Sequence, residues 1–516
     1  MKITPLSVPR APVTVRAEQP SGGDRVELGA PERLPDWRFA LKYSNQEILD
    51  RPQVAERFLD EYLQHEATFF AMARDPESGL SFDGVNLDPA TGEPISVRRF
   101  SAASKECLDL ALCVKALYGD PLVSKVVSPS DPSLAPEVAA AILERKIRSY
   151  QRYEQDYPGF GGYFTWFDSG EKAAPVQGWA RAFPTLDLGE MMWSLLLVEK
   201  ALRDTGRGET AQAYQAYNER LRAQAREAMF DPVSERISGH VEVSDPLDAE
   251  SRFIGRGAMT GEHGVHEGQM IILYMSLFAG LPEDKIQAIW DDIKMVRVEH
   301  KHGTTWQGYW GSPHEEWAYL FLPYRDIDGF KDLFRIREEI RAQNAFDRGY
   351  PGFAASAHNP AHEGYMSACG IEGVGSQGVD HNDTYTPYGA FPMLLQFAGE
   401  LTGNVGLAWL HNMLVGPRLQ GPLGAGESGT NDGTGAAPVK TIDVSFTNLL
   451  ALAGGLEDET ADLLKEMGKY DQFQQIMTGE FQETFAEAPL REPIGFHAPG
   501  PPAPPGREYL LAEQPS

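Results

Sequence analysis

The chain has 516 residues, 42% of them apolar, enough for one large domain or for two to three ordinary ones. Its 74 acidic residues outnumber 46 basic ones, and the net charge of −28 argues against nucleic acid or an anionic membrane as partner, since both need basic patches. Three cysteines, Cys107, Cys113 and Cys369, are too few for a disulfide framework, and no apolar run is long enough to span a membrane.

Residues 1–36 are rich in Pro, Gly and charge and read as an extended arm. They contain no apolar signal region, so the expectation is a cytoplasmic protein, with export by an unrecognised route as the alternative. Beyond them the apolar periodicity is helical, over Val54–Arg74, Ser104–Leu117, Pro136–Tyr157, Asp187–Arg203, Glu209–Met229, Glu267–Ala279 and Glu283–Met295. It resumes over Tyr388–Leu401, Val405–Val415, Val444–Ala453 and Glu457–Met467. Gly119-Asp120-Pro121, Gly280-Leu281-Pro282 and Gly416-Pro417 are stops between helices. Gly161–Phe167 and Arg236–Val241 read as short strands or hairpins. The chain ends in a proline-rich segment around Ala498–Gly506. The expected organisation is an arm over 1–36, one domain over 37–490 and a tail over 491–516. Many antiparallel helices, joined by long loops that hold most of the Trp and His, point to an all-α fold: an α/α toroid with a cleft at one end.

Carboxylates recur where loops become helices: Asp187, Glu267, Asp380, Asp383 and Asp443. Glu267 follows Gly264-Val265-His266 and precedes the apolar run Met270–Phe278. A carboxyl partly desolvated at such a junction suits a general acid; the plainer reading is a charge at a helix N-terminus. Separated acids beside aromatic platforms are what a glycoside hydrolase needs. The aromatics concentrate in Trp306–Tyr319, where Trp306, Tyr309 and Trp310 alternate with glycines and with His314. Such faces stack on sugar rings, or else pack a core. His358 and His362 have metal-ligand spacing, but Asn359-Pro360 interrupts a helix there. Gly424–Gly429 matches a dinucleotide fingerprint without the strand that should precede it, and reads instead as a flexible glycine loop over a cleft. Asn431-Asp432-Gly433 reads as a tight turn.

Eight of these segments occur in an order that resembles the glycoamylase-like hydrolases, the bacterial family that includes endo-β-1,2-glucanases. Asp75–Asp83 resembles its early P-x-x-G-L-x-x-D loop, Phe100–Ser104 its small-residue turn, and Pro158–Phe164 its aromatic hairpin. Pro184–Asp187 is similar to its S-T-x-D helix start, and Val265–Glu267 to its mid-chain acidic helix start. Gly311–His314 through Tyr324–Ile327, Val379–Pro387 and Thr441–Asp443 follow in the same order. Three features depart from the pattern. Lys105-Glu106-Cys107 replaces a glycine-aromatic turn, Gly84 stands where many relatives have Arg after the aspartate, and the late loop is expanded with glycine.

The resemblance implies an (α/α)₆ toroid and a hydrolase acting inside a β-glucan, above all a β-1,2-linked one, with inversion. Glu267 is then the acid. Asp443 is the first choice of base, followed by Asp380 and Asp383. Asp187 and Glu190 position sugar hydroxyls, with His266 and His381 as further hydroxyl partners, and Trp306, Tyr309, Trp310 and His314 line glucose subsites. Paired carboxylates require no metal or organic cofactor. The alternatives are a transglycosylase or exo-acting enzyme, a catalytically silent glucan-binding protein, and a metal-dependent hydrolase or lyase built on His358, His362 and His381.

Overall fold

The structure is a computed structural model that describes residues 37–258, 268–358, 364–366, 370–376, 383–398, 402–415 and 419–500. A short α1 (Asn45–Asp50) opens the body, and outer and inner helices then alternate. Outer α2 (Pro52–Met72) leads to inner α3 (Ala103–Leu117). A short α4 (Pro121–Val127) precedes outer α5 (Ala135–Asp156) and inner α6 (Thr185–Asp204). Outer α7 (Gly208–Met229), inner α8 (Gln269–Phe278), outer α9 (Glu283–Asp292) and the short inner α10 (Ala318–Phe321) continue the ring. Outer α11 (Asp328–Arg348), inner α12 (Phe391–Ala398), outer α13 (Val405–Val415) and inner α14 (Ile442–Leu452) complete it. Helices α15 (Glu457–Glu466) and α16 (Tyr470–Phe485) pack outside. The fold is the expected (α/α)₆ barrel.

Composition decides which helices lie inside. Every residue of α14 is buried, and in α3 all but Lys105 and Lys115 are. A helix apolar on all sides must be surrounded. Outer α5 instead buries one stripe, Ala139, Ile142, Leu143, Lys146, Ile147, Tyr150 and Tyr153. Cys107 and Cys113 are fully buried on α3 as small apolar residues.

The ring is closed by a sheet as well as by helices. The strand Gly84–Leu87 lies between Pro94–Arg98 and Val439–Thr441, antiparallel to both, with Gly84 opposite Thr441. A Cβ at Gly84 would stand 2.0 Å from the Lys440 carbonyl oxygen, so this position excludes any larger residue. Below the sheet, Lys440 Nζ donates to both oxygens of Glu66 at 2.8 and 2.7 Å, inside the protein.

Two features differ from what the sequence suggests. Helix α11 was not visible as apolar periodicity because much of its buried face is charged: Arg337, Glu338, Glu339 and Arg341 are all buried. The Gly424–Gly429 segment is no flexible cover, since Gly424, Ala425, Glu427 and Ser428 are buried and its ends form short strands. Residues 491–500, the start of the proline-rich tail, lie against the body. Thr304 N donates to the Arg491 carbonyl at 3.0 Å, and Trp409 Nε1 donates to the His497 carbonyl at 2.7 Å.

Candidate active site

First turns of inner helices converge at one end of the barrel. Lys105 lies in the first turn of α3, Asp187 in that of α6 and Asp443 in that of α14. Thr441 caps α14 by accepting from Val444 N, which places Asp443 at the positive end of the helix dipole. Lys105 Nζ donates to Asp443 Oδ2 at 2.5 Å and stands 4.0 Å from Asp83 Oδ1. Asp443 Oδ1 is buried and has no hydrogen-bond partner among the described residues.

Asp83 arrives on the early loop, which is pinned from below. Glu106, fully buried, accepts from Ser81 N and Oγ, both at 2.6 Å, and its other oxygen accepts from Lys146 at 2.7 Å and Tyr150 at 2.5 Å. The loop then enters the sheet, where Ile442 N donates to the Asp83 carbonyl at 2.9 Å. Arg98 Nε donates to Asp83 Oδ2 at 2.7 Å, and Arg98 Nη2 donates to His358 Nε2 at 2.9 Å. Glu427 accepts from His358 N at 3.1 Å and from the Thr441 hydroxyl.

The charges sort by their partners. Burial alone would raise Asp83, but His358, Lys105 and Arg98 hold it well below the usual carboxylate range. Burial alone would lower Lys105, but the Asp443 and Asp83 carboxylates hold its ammonium above its ordinary range. Asp187 is pushed up by burial, which outweighs the hydrogen bond from Trp166 and the charge of Lys105. Glu427 is also pushed up by burial. Carboxyls of unlike affinity for the proton thus share one end of the barrel, as acid–base work requires.

Beside Asp187 stands an aromatic wall. Trp166 Nε1 donates to Asp187 Oδ2 at 2.6 Å. The Trp166 ring lies 4.8 Å from that of Trp179 at 42° and 5.5 Å from that of Phe100, edge on. All three rings are partly exposed. The sequence reading placed Trp166 in a possible hairpin and did not single out Trp179 or Phe100. Their separate loops gave no local cluster to notice.

The expected site residues fall into three groups. Asp187 and Asp443 are together, with Lys105 and Asp83 added to them. Glu267, His266, Asp380 and His381 lie outside the described residues, as does His362, and His314 belongs to the 3₁₀ turn Pro313–Glu316. The remaining residues are placed elsewhere or only partly as expected. Trp306 is a core residue: it is fully buried, with the Arg337 guanidinium 3.9 Å from its ring centre, and offers no face to a sugar. Tyr309 and Trp310 keep partial exposure, their rings 4.5 Å apart and perpendicular. Glu190 is fully buried, close enough to Cys107 for its charge to act on that thiol. Asp383 is exposed. His358 sits on the strand Ala357–His358 rather than on a helix. Among the described residues no group of three or more His, Cys, Asp or Glu could hold a metal ion.

A ring of paired helices that gathers carboxyls and aromatic faces at one end defines a glycoside hydrolase of the (α/α)₆ class. The family described as endo-β-1,2-glucanase SGL matches residues 80–504, and the chain belongs to it. The endo-β-1,2-glucanase of Talaromyces funiculosus, solved with sophorose, is similar to this chain at 29% identity and a TM-score of 0.85, over 91% of this chain and 98% of that one. A mutant of that enzyme, solved with β-1,2-glucan, matches equally well. The endo-β-1,2-glucanase of Chitinophaga pinensis, solved with sophorotriose and glucose, shares the fold at 12% identity and a TM-score of 0.58, over 85% of this chain and 98% of that one. No curated protein matches the chain by sequence.

Proposed function

We propose that this endo-β-1,2-glucanase family member cleaves internal bonds of β-1,2-glucan by single displacement, with Asp443 as general base and Glu267 as general acid. One observation carries the choice of base. Asp443 has one oxygen fixed by a partly buried ammonium and the other without a hydrogen-bond partner among the described residues. A buried carboxylate oxygen left in that state is costly unless a water or substrate hydroxyl completes it. An activated water is what the base of an inverting enzyme holds. Support for Glu267 is its position in the chain, two residues before α8. The first turn of α8 packs against α6 so closely that a Cβ on Gly189 would lie 2.6 Å from Ile271 N. The same end of α6 carries Asp187. Trp166 and Trp179, with Tyr309 and Trp310 from the later loop, offer faces for glucose rings.

Digestion of linear β-1,2-glucan tests this directly. Early products should be oligosaccharides of mixed length, and the newly formed reducing ends should appear first as the α-anomer by proton NMR. Release of a single small sugar from the start would point to exo action, and first appearance of the β-anomer would remove single displacement.

A further inference from the structure

We infer that Lys105 is the positioning residue of the base, holding Asp443 by Oδ2 so that Oδ1 alone faces the attacking water. This rests on Asp443 being the base. Geometry carries it: the ammonium lies 2.5 Å from Asp443 Oδ2 and 4.0 Å from Asp83 Oδ1, and its side chain is 11% exposed. Lys105 and Lys115 are the two residues of α3 that are not buried, and Lys105 turns toward the carboxylates rather than to bulk water. The contact spans 338 positions of sequence and joins the first inner helix to the last.

The charges around it explain why an ammonium is needed. From α14 comes Asp443, from the early loop Asp83, and from α6 Asp187, whose charge also acts on Lys105. Glu427 is near enough for the charge of Asp443 to act on it. Arg98 neutralises Asp83 through its Nε, with His358 beside it. Glu106 is the residue next to Lys105, but it is engaged with Ser81, Lys146 and Tyr150. Without Lys105, Asp443 would therefore face Asp187 and Glu427 with no cation at hydrogen-bond distance among the described residues. Like charges in a buried site favour protonation, and a protonated Asp443 cannot activate water. With the ammonium in place a second effect follows. One lone-pair direction of the carboxylate is fixed, which fixes the other.

The roles predict distinct kinetics for Lys105→Met, Lys105→Arg and Asp443→Asn, each checked for native circular dichroism and melting. Asp443→Asn should lose activity across the whole pH range. Lys105→Met keeps the length of the side chain but not its charge. Its kcat should fall at least tenfold near neutral pH, and the acid limb of its kcat/KM profile should move up by about one unit or more, with KM little changed. Lys105→Arg should restore the wild-type acid limb, because the charge is what sets it. A folded Lys105→Met enzyme with the wild-type acid limb and kcat, beside an inactive Asp443→Asn, overturns the role of Lys105 and leaves Asp443 as base. An active Asp443→Asn removes the base and this inference with it. If the methionine variant does not fold, Lys105→Gln, which can still donate to Oδ2, is read by the same rule. A displaced acid limb supports the role, and an unmoved one overturns it.

Discussion

The indole Nε1 of Trp166 donates to Oδ2 of Asp187 at 2.6 Å, so a partly exposed aromatic face and a partly buried carboxylate are held as one unit. The indole comes from the loop after α5 and the carboxylate from the first turn of α6. Trp179 and Phe100 pack around the same ring. The unit presents an apolar face and an acceptor side by side, the two features that a glucose ring offers to a protein in reverse.

Trp166→Ala should therefore weaken glucan binding more than it weakens the fold. Loss of an aromatic contact is worth about 0.5–1.5 kcal/mol beyond area, roughly a two- to tenfold rise in Kd or KM. Calorimetric titration with β-1,2-glucan oligosaccharides measures it, with Trp179→Ala as the second point on the same wall. Unchanged binding in both variants would place the substrate elsewhere.

Trp306→Ala should behave in the opposite way. Its ring is fully buried beneath Arg337, whose Nη1 also donates to the Trp306 carbonyl at 2.9 Å. Truncating it should cost about 3–5 kcal/mol of stability and leave the folded fraction with near-normal KM. Thermal melts beside activity at low temperature separate the two. A normal melt with lost binding would return Trp306 to the cleft wall.

The contrast between these tryptophans shows what was legible in the sequence. Most of the helices could be read from apolar periodicity, because each buries an apolar stripe or is apolar along most of its length. Asp187 and Asp443 could be read because each follows a loop and opens an apolar helix. Trp306 was misread because its strand, Gly303–Trp306, is buried at every position, so no alternation marked it as core. Its cover is a guanidinium rather than an apolar side chain. The same charged interior hid α11, whose Arg337, Glu338 and Arg341 pair with one another and with Glu315 and Glu316 inside the protein. Asp83 stood in the family-like early loop and Lys105 in a departure from the family pattern, and neither was given a role in the site. Only the closure of the ring brings Asp443 to them.

Glu480 on α16 makes stability depend on pH. Burial, then the charge of Glu483, push its carboxyl up to about 8, against the pull of Lys294. In the unfolded chain it ionises near the ordinary glutamate value, about 4.3. Between those values the folded state binds more protons than the unfolded one, so this contribution is fully present at low pH and is lost as pH rises toward 8. Glu480→Gln keeps the shape without the charge. The variant should gain on the wild type in melting temperature steadily from pH 5 to pH 8.5. A constant difference across that range would show that Glu480 is ionised in the folded state throughout.

The acid remains to be tested through its leaving group. Glu267→Gln keeps size and hydrogen bonding but has no proton to give. Turnover on β-1,2-glucan should fall by about 10²–10⁴-fold, the usual worth of general acid catalysis. Binding should persist, because the amide still fills the place of the carboxyl. A β-1,2-linked oligosaccharide carrying a reducing-end aryl group of low pKa should be cleaved at a rate much nearer the wild type's, since that leaving group departs without protonation. Asp443→Asn should gain nothing from the same substrate, because its defect lies in the attacking water. The pair of rates on the two substrates, natural and activated, distinguishes the roles without reference to KM. Equal loss on both substrates in Glu267→Gln would remove it as the acid. Attention would then pass to Asp187, whose carboxyl burial already pushes up beside the base.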